Sequence, residues 1–247
     1  MTTAFAPATA AATHTPAAAP AAPRFDMYLT IHKALRSFMA DTLVRVGRLD
    51  VTDEEDMQDA LEQLDALLVL CGKHIDHENE FVHTAIEARQ PGGASRTVGD
   101  HLEHRDSIDV LRAEGAALRR AAAATRPQLA LRLYHHLSLF VAENFQHMHI
   151  EESTNNALLW AAYSDVELID IHHRLLATIP PESFMQIARW MVPAMNPSER
   201  AMMLGGVKAT TPPEAFLGVL AGIRSHLDAS GWTKLSRAMG VPAETLP

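Results

Sequence analysis

The sequence predicts an all-α protein, an up-down-up-down four-helix bundle followed by a C-terminal helical extension. Three observations predict it. Hydrophobic residues make up 47% of the chain but aromatics only 6%, and the abundant Ala, Leu and Met favour helices over strands. From Phe25 onward apolar residues recur every three or four positions, the helical period. Gly and Pro punctuate this pattern into four long segments with short connections, which favours antiparallel neighbours. At 247 residues the chain exceeds the usual single-domain size. It divides into an Ala/Pro/Thr-rich tail over 1–23 read as disordered, a bundle over 24–165 and a helical extension over 166–247.

The first helix is expected from about Phe25 to Leu49, with Tyr28, His32, Leu35, Met39, Leu43 and Val46 on one face. The second opens after Thr52, where Asp53, Glu54 and Glu55 suit a helix N-terminus, and runs to Arg89 before the Gln90-Pro91-Gly92-Gly93 break. Leu64, Leu67, Cys71, His74, Glu78, Phe81 and Ala85 form its inner seam. The third starts near Thr97 and carries His101, His104, Ile108, Leu111 and Leu118 on one stripe. Pro127 fits the first turn of the fourth, which reaches about Trp160 through inner positions Leu133, His136, Phe140, Glu143, His147, Glu151, Thr154 and Leu158. Beyond Asp165 come shorter pieces, broken at Pro180-Pro181, Pro193, Pro197, Gly205-Gly206 and Pro212-Pro213.

A net charge of -9 argues against nucleic acid and anionic membrane as partners, since both require a basic face. Small molecules or metals fit better. Cys71 is the only cysteine and can form neither an intramolecular disulfide nor a thiolate metal site alone, which suits a reducing cytoplasm. The N-terminal stretch lacks the basic region and apolar run of a signal peptide, and no segment approaches the roughly 20 apolar residues that span a bilayer.

The unusual number is 14 histidines. On a helix, residues four apart differ by about 40° around the axis and stack one turn apart, so two such side chains can share a metal. His74 and Glu78 have that spacing, and His147 and Glu151 repeat it. Both pairs fall where the apolar pattern calls for Leu or Ile, and a buried polar group is costly unless it is bound or paired. His32 and His104 complete a set in which every helix of the bundle supplies an inward ligand. A lone histidine on an apolar stripe is most often a satisfied core residue; four helices converging shift the balance to a metal site.

These residues resemble the hemerythrin-like, or HHE cation-binding, family. The likeness rests on the stretch from His74 to Phe81, on Glu103-His104 opening an apolar-periodic helix, and on the stretch from His147 to Glu152, and it covers about residues 25–165. The resemblance implies an antiparallel four-helix bundle around two non-haem iron ions in an oxo- or hydroxo-bridged centre. It also implies His32, His74, His104 and His147 as terminal ligands, with Glu78 and Glu151 as bridges. The oxygen carriers of that family have HxxxH on the third helix, whereas here Asp100 stands four before His104 and His101 three before it. His101 shares the apolar stripe and is the favoured additional ligand, with Asp100 the alternative. The doublet Glu151-Glu152 leaves open which carboxylate bridges.

Other metal folds fit poorly. Ferritin-like sites need two ExxH units and only the stretch from Glu80 to His83 offers one, while Phe81 stands where HExxH needs its second histidine after His77-Glu78. His77, His83, His135, His136, His149, His172 and His173 are read as solvated faces or second-layer groups. Tyr28 and Cys71, each one turn before an expected ligand, are read as core packing. The activities open to such a chain are binding of O2 or a related small ligand, with O2, NO or iron sensing, storage or a peroxide-related stress response. An oxidase or oxygenase acting on an organic substrate is the alternative, which a pocket between bundle and extension would favour; Trp190, Met191 and Met195 are grouped so as to line one, with core packing the preferred reading for them, and a metal-free interaction bundle is a third.

Overall fold

The computed structural model describes residues 23–242, all of its regular structure helical. The disordered tail expected over 1–23 lies, but for Pro23, outside the described residues. Helix α1 spans Leu29–Gly47. It starts later than the periodicity suggests because the Asp26 carboxylate accepts from the backbone N–H groups of Tyr28 and Leu29 and caps the entry.

Helix α2, Glu54–His77, is capped by Asp53, whose side chain accepts from Glu55 N and Asp56 N. It passes through a π-helical turn, Glu78–His83, into α3, Thr84–Arg89. The break that follows is tight: Gly92 takes a positive φ of 83°, and the Glu87 carboxylate accepts from Gly92 N and Ala94 N. Helix α4 is Ser95–Arg120. A short 3-10 turn leads to α5, Arg126–Ile150, with Pro127 in its first turn. A second π turn, Glu151–Asn155, continues into α6, Asn156–Ala162.

These long segments pack in a ring, α1 against α2 and α5, and α4 against α2 and α5. Leu35, Met39, Leu64, Leu67, Cys71, Ile108, Leu111, Leu133 and Phe140 meet in its core. Burial of each such Leu or Phe contributes about 1.5–3 kcal/mol before the ordering entropy is set against it.

Helix α7, Asp165–Leu176, begins with a Ser164/Glu167 capping box and buries Leu168 and Ile171 against Met27, Tyr28, Val82 and Ile86. It therefore closes one end of the ring although the sequence assigned it to the extension. Helices α8 (Pro181–Ala194), α9 (Pro197–Thr210), α10 (Pro213–Arg224) and α11 (Ala229–Met239) have their own apolar core around Val192, Leu204, Phe216, Leu220, Ile223 and Trp232. α8 docks this unit on α1, where Trp190 stacks on Phe38 at 4.1 Å and Lys33 Nζ donates to Glu199 at 2.6 Å. Trp190 is thus a docking residue between α8 and α1.

The inner faces of α1 and α4 follow the periodicity, with His32, Leu35, Met39 and Val46, and His101, His104, Ile108, Leu111 and Leu118, all buried. On α5 the buried stripe is Leu133, Leu137, Phe140, Asn144 and His147, so His136 and Glu143, one residue out of phase, are exposed. Beyond each π turn the stripe slips by one residue, because the turn accommodates an extra residue. Asn155 and Leu159 are buried while Thr154 is exposed, and His83 is buried on the other helix where a solvated face was expected.

Candidate metal centre

Six side chains from the four segments converge midway along the ring. His32 Nε2 lies 3.4 Å from Glu78 Oε1 and 3.5 Å from Glu151 Oε2, and His74 Nε2 lies 3.1 Å from Glu78 Oε1. On the other side His101 Nε2 is 3.3 Å from Glu78 Oε2, His147 Nε2 is 3.2 Å from Glu151 Oε2, and the two imidazole nitrogens are 3.0 Å apart. Two groups result, His32, His74, Glu78 and Glu151, and Glu78, His101, His147 and Glu151, each with its ligand atoms within 4.8 Å of one another. Glu78 and Glu151 belong to both. Donor atoms bound at about 2.1 Å to one ion stand about 3.0–3.4 Å apart, the spacing of these neighbours.

Each helix places its ligand for a local reason. His74 and Glu78, and His147 and Glu151, are one turn apart on the buried stripe, and both π turns begin at the glutamate of the pair. Outer partners then aim the rings. Glu152 Oε1 accepts from His32 Nδ1 at 3.0 Å, Asn79 Oδ1 from His101 Nδ1 at 2.8 Å, and Asp100 Oδ2 from His147 Nδ1 at 3.1 Å. These acceptors carry no hydrogen of their own, so every Nδ1 is the protonated nitrogen and each neutral ring turns an Nε2 lone pair inward.

That arrangement calls for positive charge. Lone pairs of His101 and His147 face each other at 3.0 Å, and the lone pair of His32 faces two carboxylates. His32 Nε2, His74 Nε2 and all four oxygens of Glu78 and Glu151 are buried with no hydrogen-bond partner. Left so, each costs about 1–3 kcal/mol. Protons relieve the conflict in part. Burial pushes the His32 imidazolium down, but Glu152 and Glu78 outweigh it and lift the ring to about 9. Burial also raises Glu151, as does the adjacent Glu78 charge, whereas Glu78 is held low against burial by His74, His101 and His32. His74, by contrast, is pushed down to about 3 by burial and stays neutral. A neutral histidine with an inward lone pair is the form that binds a metal. The buried His/Glu groups could therefore hold a metal ion, and the donor set fits one.

Of the expected ligands the structure brings together His32, His74, Glu78, His101, His147 and Glu151. His104 is not in either group. It is buried, its ring edge-on to His147 at 4.9 Å and to Phe140 at 6.1 Å, and its Nδ1 has no partner. His101 occupies the place on α4, and Asp100 stands behind His147 as its hydrogen-bond acceptor. The doublet resolves likewise: Glu151 points inward, while Glu152 holds His32 and pairs with both terminal nitrogens of Arg36, at 2.5 and 2.9 Å.

Sequence reasoning missed Asn79, which accepts from His83 Nδ1 as well as from His101, and Asn155, which donates to Tyr28 at 3.3 Å and Thr97 at 3.2 Å. A π turn at each HxxxE pair was the signal that would have found them, and periodicity does not reveal one. Compared with family models, with curated proteins and with solved structures, the chain finds no match.

Proposed function

We propose that the ring of four helical segments is an up-down-up-down bundle of the hemerythrin-like kind. In this reading it holds two non-haem iron ions and binds O2 or a related small ligand, in sensing, storage or a peroxide-related stress response. The observation that carries the reading is the sharing of Glu78 and Glu151 between two four-donor groups. A single-ion site needs no such duplication, whereas two carboxylates common to two groups are what a bridged pair requires. Mixed imidazole and carboxylate donors suit non-haem iron.

In this reading His32 and His74 complete one ion's ligands and His101 and His147 the other's. Glu152, Asn79 and Asp100 fix the ring orientations, and buried Leu35, Cys71 and Phe140 restrict water. When bound, the pair supplies two electrons together to a small molecule. No feature of the described residues favours the oxygenase alternative specifically.

Iron analysis of the full chain, purified so as to retain metal, tests the proposal. About two irons per chain, with oxo-bridge absorption that responds to azide or O2, supports it. Absence of iron, together with unchanged stability of His74→Ala, overturns it.

A further inference from the structure

One helical turn beyond the ligands, each of the four segments carries a buried polar residue toward the same end: Tyr28 before His32, His83 after Glu78, Thr97 before His101 and Asn155 after Glu151. The four form one hydrogen-bonded layer. Asn79 Oδ1 only accepts, so His83 Nδ1 carries the hydrogen, and His83 Nε2 lies 3.1 Å from Thr97 Oγ1, whose hydroxyl is also 3.1 Å from Ala94 O. Thr97 Oγ1 in turn accepts from Asn155 Nδ2 at 3.2 Å, and the other Asn155 hydrogen goes to the Tyr28 oxygen at 3.3 Å.

With Asn155 Nδ2 turned toward Tyr28 and Thr97, one donor is left over. Among the described residues the hydroxyl hydrogen of Tyr28 has no acceptor, although the side chain is 1% exposed. Buried tyrosine hydroxyls rarely go unmatched. The Tyr28 ring lies 5.0 Å from that of His32. His32 Nε2 in turn lies 3.4 Å from Glu78 Oε1 and 3.5 Å from Glu151 Oε2, the two shared carboxylates. Neither carboxylate is the hydrogen-bond partner of the Tyr28 hydroxyl.

We propose that Tyr28 donates this hydrogen to a small hydrogen-bond-accepting ligand of the metal pair, of the azide or dioxygen class, and that Asn155, Thr97 and His83 position it. The inference rests on the di-iron reading. The phenol supplies the one directional polar contact by which a diatomic or triatomic ligand is retained, and the Asn155 amide prevents it from turning away.

The test uses the iron-loaded full chain with azide as the probe, reading iron content and azide affinity in the wild type, Tyr28→Phe and Thr97→Val. The proposal expects two irons per chain in all three. Tyr28→Phe should bind azide about tenfold more weakly, the size of one buried hydrogen bond. Thr97→Val, which leaves Tyr28 in place but frees Asn155, should lose about two- to threefold. Wild-type azide affinity in Tyr28→Phe overturns the donor role and leaves the iron reading standing. Iron loss in a folded Tyr28→Phe, or a visible phenolate band that this variant abolishes, also overturns it by placing the phenol on the metal. Should Tyr28→Phe not fold, wild-type affinity in Thr97→Val overturns the proposal. Fewer than two irons in the wild type defeats both readings.

Discussion

The chain contains two helical cores of different character. Among the described residues the core of α8–α11 is apolar apart from Ser236, whereas the ring of α1, α2, α4 and α5, with the π turns that continue α2 and α5, buries His32, Glu78, His101, His104, His147 and Glu151 among leucines. Both use the same period and similar loops, so propensity does not explain the difference. A buried carboxylate or imidazole weakens a core unless something binds it. The second unit shows that this chain builds an apolar core where it needs only stability. The polar cluster, which could hold a metal ion, carries a cost in stability that the apolar core of α8–α11 does not.

The comparison yields predictions in descending size. Glu78→Ala removes a donor from both groups and should abolish metal binding altogether, read as loss of the metal-induced rise in Tm, which for a bound ligand grows with ligand concentration. Leu220→Ala, in the second core, should cost about 2–5 kcal/mol of that unit's stability by chemical denaturation while leaving metal stoichiometry unchanged. A concurrent loss of metal would show that the two cores are not independent. Asp100→Asn, which weakens the acceptor behind His147, should lower metal affinity about 10- to 100-fold with little change in fold. Calorimetric titration checks it.

The smallest effect is the pH profile of metal-free protein. Burial holds His83, His104 and His172 down at about 4 in the folded chain. As pH falls from about 6.5 toward 4 the unfolded chain takes up protons that the folded chain does not, so stability drops. His32, raised to about 9, works the other way. Its contribution is full below about 6.5 and is lost as pH rises through 9. Tm of the metal-free chain should therefore peak near pH 6.5 and decline on both sides. Metal should flatten the alkaline limb, because the ligand that replaces the His32 proton does not titrate away there.

Much of this was legible in the sequence. The cap at Asp53, the Gly92 turn and Pro127 mark the helices through local chemistry, and the two HxxxE spacings bring four donors together on periodicity alone. What stayed hidden depends on non-local or non-periodic structure. The π turns at Glu78 and Glu151 shift the stripe by one residue, which is why His83 and Asn155 are buried and Thr154 is not. The choice of His101 over His104 turns on the rotation of α4 against α5, which both spacings permit. That Asp100 backs His147 and Glu152 backs His32 requires the helices to be docked before the partners can be seen. The placement of α7 against the ring, rather than with α8–α11, is set by where Leu168 and Ile171 find apolar partners.

The most direct test of the shared-carboxylate centre is an anaerobic titration of metal-free full-length protein with ferrous iron, counting ions bound per chain. The account predicts two equivalents for the wild type and none retained by Glu78→Ala. A wild type that binds one ion or none, or a Glu78→Ala chain that still holds two, would contradict it.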